Sequence, residues 1–110
     1  MMNSEYWSSK VEHMESIDKL PWQALKFFYH VARLQRLDAA AEHLHVTSGA
    51  VSKQIKSLES ALGCPVFAKQ GRYLVLNAAG EQLYAACKIQ YGALSQAMLQ
   101  IKQQDSDLRV

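Results

Sequence analysis

The strongest constraint on the fold is a pair of helical segments separated by a two-residue turn. Asp38 can cap a short helix over residues 39–44, whose paired alanines allow close approach by a neighbour. After the turn, Thr47 is placed to cap a longer helix that ends at about residue 62, where Gly63 stops it. A short helix, a tight turn and a longer helix are the elements of a helix-turn-helix.

The longer helix divides into two faces. Its apolar positions recur at helical spacing and predict a core face: Val51, Ile55, Leu58 and Leu62. The other face is small or basic and free of carboxylates: Gly49, Ser52, Lys53 and Lys56. Such a helix can enter a DNA major groove about 12 Å wide, with the free N–H groups of residues 47–50 offered to a phosphate. An ordinary amphipathic helix with a solvated face is the alternative, and the pattern alone leaves it open.

Two β-prone runs follow the helix pair and predict a hairpin. They cover residues 66–69 and 72–76, around a turn at Gln70-Gly71. Lys69 and Arg72 place a cation on either side of the tip, as a wing directed at a DNA backbone or minor groove would. A polar hairpin tip is the alternative for this part. Helix-turn-helix and basic-tipped hairpin together predict a winged helix, which is more specific than either element.

The first 34 residues show a less regular spacing of apolar residues than the predicted helix-turn-helix. Pro21 suits the first turn of a helix that ends near residue 34 and carries an apolar stripe of Leu25, Phe28, Val31 and Ala32. Within residues 1–19, apolar side chains recur at helical spacing at Trp7, Val11, Met14 and Ile17. Two interpretations of this extension stay open, a short helix lying on the domain or a frayed leader.

Composition and charge narrow the class of protein. A chain of 110 residues is one domain, and its 49% hydrophobic and 20% charged residues are typical of a globular protein. The formal charge is −2 over residues 1–19, +4 over 20–76 and zero over 77–110, so a polyanionic partner is expected at the middle segment. No apolar run is long enough to span a bilayer, and no secretory signal or membrane partner is expected.

The last predicted helix has a regular apolar seam. Asn77 can cap a helix running to residue 103 or 104, which at about 1.5 Å per residue would be on the order of 40 Å long. The seam follows a 4-3 spacing over three heptads: Gly80, Tyr84, Cys87, Tyr91, Leu94, Met98 and Ile101. Packing of this seam on its own domain is the alternative, but the length of the helix favours a partner helix.

The quoted elements together resemble the LysR-type transcriptional regulators. The resemblance covers residues 20 to about 104 and is most specific between 40 and 80, through the runs Ala40-Ala41-x-x-Leu44-x-Val46-Thr47-x-Gly49-Ala50-Val51-Ser52-x-Gln54-Ile55-x-x-Leu58-Glu59-x-x-Leu62-Gly63, Phe67-x-x-x-Gly71-Arg72-x-Leu74-x-Leu76 and Ala79-Gly80. It implies a cytoplasmic, dimeric, sequence-specific DNA-binding module in which residues 77–104 are the linker helix that forms the dimer.

The chain departs from the family pattern at several candidate DNA contacts. The usual Ser-Phe-Thr-Arg before the double alanine is here residues 36–39, Arg-Leu-Asp-Ala, so Arg36 becomes the candidate for that phosphate contact. Ser48 replaces a frequent glutamine and is too short for a bidentate contact to adenine. Lys69 stands where arginine is usual and keeps the charge without the planar fork. Asn77 replaces the usual capping threonine and can cap equally well.

We expect a mainly α protein with a three-helix core, a β-hairpin wing and a long dimerising linker helix. The predicted function is sequence-specific binding of double-stranded DNA by a homodimer, through Thr47, Ser48, Gly49, Ser52, Lys53, Lys56, Lys69, Arg72 and Arg36. A higher oligomer belongs to a full-length form, and a small-molecule effector is expected only with a C-terminal effector-binding domain. Residues 105–110 would be the start of that domain, and residues 107–110 resemble the beginning of its first strand. The chain would then be a DNA-binding fragment or a natural short form.

No enzyme, cofactor or metal site is expected. No nucleophile elbow, phosphate-cradling glycine loop or acid–base pair of carboxylates is present, and no cysteine or carboxylate pattern completes a metal site around His43 and His45. Cys64 and Cys87 are interpreted as packing residues in a reducing compartment. The competing hypothesis is a protein-interaction module whose seam pairs with a full-length regulator while its wing is idle.

Overall fold

Three helices bury their apolar faces against one another to form the core of the domain. The computed structural model describes residues 19–108, and side chains through residue 105. The predicted N-terminal extension over residues 1–19 lies outside the described residues except for Lys19. The elements are α1 (Trp22–Leu34), α2 (Leu37–Leu44), α3 (Ser48–Leu62), β1 (Phe67–Gln70), β2 (Tyr73–Leu76) and α4 (Ala78–Leu108). The side chains of Phe28, Val31, Val51, Leu58 and Val66 are almost completely buried at the centre. This arrangement is the predicted winged helix-turn-helix followed by a long helix.

The ends of the first three helices are set by short-range hydrogen bonds. The Oγ1 atom of Thr47 accepts a hydrogen bond from the Ala50 N–H at 3.1 Å, which confirms the predicted cap of α3. Gly63 ends α3 in the left-handed conformation, with φ of 78°. The predicted cap of α2 is wrong, since α2 begins at Leu37 after an extended Arg36, and Asp38 lies inside the first turn.

The hairpin is antiparallel and its turn differs from the prediction by one residue. Phe67 pairs with Leu76, and Gln70 pairs with Tyr73. The two turn residues are therefore Gly71 and Arg72, instead of Gln70 and Gly71. The physical reason is the backbone of Gly71, whose φ of 62° is required at the first position of a II′-type hairpin turn and favours glycine there. Arg72 consequently lies at the tip itself.

Three hydrogen bonds, one between backbone groups and two that use a side chain, fix the wing and its flanking residues to the helices. The Leu74 N–H donates to the carbonyl of Gln35 at 2.8 Å, which ties β2 to the turn between α1 and α2. The Val66 N–H donates to the Glu59 carboxylate at 2.8 Å, and the Asn77 side-chain amide donates to the Pro65 carbonyl at 2.9 Å. The wing is therefore held at both of its ends.

Helix α4 starts on the core and continues well past it. The Asn77 Oδ1 atom accepts from the Gly80 N–H at 2.8 Å, which confirms the predicted cap. The helix has 31 residues and extends to Leu108, so Asp107 and Leu108 are helical and do not begin a strand as expected. The run after the predicted end contains no glycine or proline that would stop a helix. No helix in the described range is long and apolar enough to cross a membrane.

Candidate nucleic-acid interface

The exposed face of α3 carries the small and basic residues that the sequence assigned to a groove. Thr47, Ser48 and Gly49 are exposed at the N-terminus of the helix, and Lys53 and Lys56 are exposed further along it. Val51, Ile55 and Leu58 are buried on the opposite face, and Leu62 is half-buried. The predicted division of this helix into two faces is therefore confirmed, with Ser52 half-buried where the exposed face turns toward the wing.

A groove joins this face to the wing. It has a volume of about 340 Å³, and side chains from α2, α3 and both strands line it, among them Ser52, Lys56, Glu59 and Lys69. Lys56 comes from the helix and Lys69 from the hairpin, so two cations that are 13 positions apart in the sequence share one cleft. Arg72 is exposed at the wing tip. The fold thus brings three of the candidates, Ser52, Lys56 and Lys69, together in one groove.

Arg36 is placed differently from the other candidate cations because it has a carboxylate partner. Its Nη2 atom lies 2.8 Å from Asp38 Oδ2, and its Nε atom donates to Asp38 Oδ1 at 3.2 Å. This bidentate hydrogen bond from the guanidinium holds the pKa of the Asp38 carboxyl below its ordinary value. The guanidinium of Arg36 is therefore already paired with a carboxylate and is not free to bind a phosphate without losing that pair.

Two residues that position the interface were missed by the sequence reasoning. Glu59 lies on α3 and lines the same groove, but its carboxylate is used to accept the Val66 N–H at the start of the wing. Gln35 adopts the left-handed conformation with φ of 62°, which aims its carbonyl at Leu74. The single carboxylate among residues 48–62 was a usable sequence signal for Glu59, whereas nothing local in the sequence indicates the conformation of Gln35.

The histidines within residues 19–108 do not form a candidate metal centre. The rings of His30 and His43 pack in a tilted arrangement, with their centroids 4.6 Å apart. Burial, together with neighbouring positive groups, lowers the pKa of His30. Among residues 19–108, no group of three or more histidine, cysteine, aspartate or glutamate side chains is arranged to hold a metal ion.

The seam on α4 splits into two parts, which corrects the prediction that it is one partner-facing surface. Tyr84 and Tyr91 pack on Tyr29 of α1, with ring centroids 5.5 and 4.8 Å away. Cys87, between them, is only 7% exposed, and burial raises the pKa of its thiol. The first half of the seam therefore contacts its own domain, because α4 crosses α1 over these two turns.

The second half of the seam is uncovered. Leu94, Met98 and Ile101 are 55%, 71% and 65% exposed, and they follow Tyr91, which packs on Tyr29 of α1. An exposed apolar stripe of this kind is typical of a protein interface.

A family model described as bacterial regulatory helix-turn-helix protein, lysR family, matches residues 22–81, which begin with α1 and end in the first turn of α4. The chain belongs to the LysR family. The matched range contains all of the candidate residues on α3 and the wing. The groove between α3 and the wing, called the α3–wing groove below, therefore lies within the family's helix-turn-helix domain.

The chain is also similar to three known proteins. The HTH-type transcriptional regulator TrpI of Pseudomonas aeruginosa is 39% identical over 84 residues, which are 76% of this chain and 28% of that protein. The crystal structure of ArgP from Mycobacterium tuberculosis has a TM-score of 0.67 and 34% identity, over 76% of this chain and 30% of that one. The crystal structure of the CbnR_DBD–DNA complex has a TM-score of 0.64 and 26% identity, over 74% and 94%. The chain spans 20–28% of the length of the first curated relatives it matches.

Proposed function

We propose that this LysR-family chain binds double-stranded DNA in a sequence-specific manner as a homodimer and so regulates transcription. The observation that carries the proposal is the groove between α3 and the wing, in which Lys56 and Lys69 converge beside an exposed face of small residues. A similar domain, CbnR_DBD, has been crystallised with DNA. A regulator of bacterial transcription acts where the chromosome is, and we therefore assign the protein to the cytoplasm.

In this proposal α3 is the recognition helix. Ser48, Gly49 and Ser52 are short enough to let the helix approach base edges closely. Lys53 and Lys56, which are both exposed, are proposed to contact the flanking phosphates. The N-terminus of α3 after Thr47 offers backbone N–H groups to a phosphate. A recognition helix with few long side chains is expected to read fewer bases directly, and Ser48 in particular lacks a bidentate fork.

The wing is proposed to position the domain on the duplex without reading its sequence. Lys69 and Arg72 are exposed on β1 and at the tip, where they can contact phosphates or enter the minor groove. The hydrogen bond of Glu59 ties the residue before β1 to α3, and the carbonyl of Gln35 ties β2 to the turn between α1 and α2, so the hairpin that carries these cations is held to the core. Arg36 contributes less than its charge suggests, since Asp38 offsets it.

The dimer is proposed to form through the exposed part of α4. Leu94, Met98 and Ile101 are the side chains that would meet a partner helix, and Tyr84, Cys87 and Tyr91 support α4 from its own domain. In the proposed organisation residues 20–76 bind DNA and α4 from residue 77 onward joins the protomers. Any higher oligomer or small-molecule effector belongs to a longer form with a C-terminal domain.

Fluorescence anisotropy with labelled duplexes tests the proposal. Binding-site selection with the full chain first defines a preferred duplex, and salt titrations are then run on this duplex and a random one. Lys56→Ala is expected to weaken binding to both duplexes by a similar factor. It should also reduce the slope of log K against the logarithm of the salt concentration by about one. Lys88→Ala removes the same charge from α4, outside the groove, and should leave the slope unchanged.

Sequence readout is tested in the same assay. Ser52→Ala should change the selected sequence, with discrimination at one base pair per half-site altered by about 1–3 kcal/mol if the hydroxyl contacts a base. A chain that dimerises but shows no preference for any duplex would reject the proposal in favour of an interaction module. Equal salt slopes for Lys56→Ala and Lys88→Ala would reject the α3–wing groove as the binding surface.

A further inference from the structure

Four basic side chains lie together where α1 packs against α2, and none of them lines the α3–wing groove. Lys26, His30 and Arg33 follow the spacing i, i+4 and i+7 on α1, which places them on one side of that helix. His43 joins them from α2, because its ring packs against that of His30 with the centroids 4.6 Å apart. These four residues are called the basic cluster below.

A hydrogen bond within the basic cluster decides which of its atoms can donate to a ligand. The Nη2 atom of Arg33 lies 3.3 Å from the Nδ1 atom of His30. A guanidinium has only donors, so Nδ1 accepts this bond and the neutral His30 ring carries its proton on Nε2. Lys26, Arg33 and His43 are exposed, and His30 is half-buried. The cluster can therefore offer an ammonium group, the other guanidinium N–H groups and an imidazole N–H to a bound group.

Positive charge in the basic cluster exceeds the negative charge on the helices that carry it. Burial lowers the pKa of His30, and the positive charges of the other three members lower it further. The sequence of α1 contains no carboxylate. The two carboxylates of α2 are Asp38, which is paired with Arg36, and Glu42, which is exposed. Like charges gathered in this way repel one another, and an anion bound among them removes the repulsion.

We propose that the basic cluster binds a phosphate group between α1 and α2. The guanidinium of Arg33 matches the oxygens of a phosphate, and donors on two helices suit an anion that carries several oxygens. The bound negative charge favours the protonated form of His30 and so raises its pKa. The group belongs either to a DNA backbone or to a free phosphate ester. The site lies outside the α3–wing groove, and it does not rest on the proposed function.

Titration of inorganic phosphate into the full chain tests the site, with the histidine ring protons followed by NMR at constant ionic strength. The resonances of His30 and His43, assigned from His30→Gln and His43→Gln variants, should shift and saturate. Lys26→Gln should weaken this binding about tenfold, because it removes one charged donor. Lys88→Gln removes the same charge from an exposed position on α4 and should leave the binding unchanged. The pKa of His30 should be higher in phosphate than in chloride.

The same titration on a complex with a saturating DNA duplex identifies the source of the phosphate. Loss of the phosphate-induced shifts assigns the site to the DNA backbone, and their persistence assigns it to a free phosphate ester. A chain that binds no duplex rejects the proposed function, while the titration of the free chain still tests the site. Shifts that do not saturate, an equal response to acetate, or equal phosphate affinities of the Lys26→Gln and Lys88→Gln variants would overturn the proposal.

Discussion

Gly80→Ala should destabilise the domain, although the same change at a solvent-exposed helical position normally stabilises it. A Cβ atom at residue 80 would meet the backbone carbonyl oxygen of Val66 well inside contact distance, and it would also lie 2.9 Å from Leu76 Cδ2. The carbonyl cannot move aside easily because it accepts the Asn77 N–H, and the Val66 N–H is held by Glu59. The wing and α4 would have to separate locally.

The magnitude follows from two opposing effects. Overpacking typically costs about 1–3 kcal/mol, and a clash with fixed backbone belongs at the upper end. Alanine returns up to about 1 kcal/mol through its higher helix propensity. The net expectation is a loss of about 2 kcal/mol in the free energy of unfolding, or about 8–16 °C in Tm for a domain of this size.

Gly92→Ala is the matched control, since it makes the same change in the same helix. No atom lies within 4 Å of a Cβ built at residue 92, so the substitution should be neutral or stabilising by up to about 1 kcal/mol. Urea unfolding followed by circular dichroism, at one fixed protein concentration, measures both variants. A Gly80→Ala protein as stable as the wild type would refute the close packing of α4 against the end of α3 and the wing.

Three further predictions concern the dimer, the Arg36 pair and pH. Leu94→Glu with Met98→Glu should convert a micromolar dimer into a monomer by light scattering, because both side chains are exposed on the outer part of α4, and a wild-type monomer would contradict the proposed interface. Asp38→Asn should free Arg36 and raise affinity for all duplexes with a steeper salt dependence, and an unchanged salt slope in anisotropy titrations would show that Arg36 does not reach the phosphates. Burial lowers the pKa of His30 from its ordinary 6.5, so the folded state binds a proton on this ring less readily than the unfolded state does. The stability that neutral His30 supports is fully present above pH 6.5. It is lost as the pH falls below 6.5 and through the lower pKa of the folded state. His30→Gln should flatten this part of the plot of unfolding free energy against pH, measured by urea titrations at a series of pH values. An unaltered pH dependence would assign the effect to other groups.

Local chemistry was sufficient to predict most of the elements. The caps at Thr47 and Asn77 and the stop at Gly63 depend on contacts within a few residues, so the sequence alone placed the boundaries of α3 and the start of α4. The apolar spacing of α3 likewise identified its core face, because helical geometry converts periodicity directly into direction. Where no local stop signal exists, as beyond residue 104, the predicted end of α4 was too early.

The tertiary structure decided which side chains contact other parts of the chain and which ones remain exposed to solvent. Periodicity showed that α4 has an apolar seam, but only the crossing of α4 over α1 divides it into Tyr84, Cys87 and Tyr91 on the domain and Leu94 onward in solvent. The charge of Arg36 was visible in the sequence, while its bidentate pairing with Asp38 required the extended backbone before α2. Periodicity, charge and propensity belong to single segments, whereas contacts between segments depend on how the whole chain packs, and no local pattern encodes them uniquely.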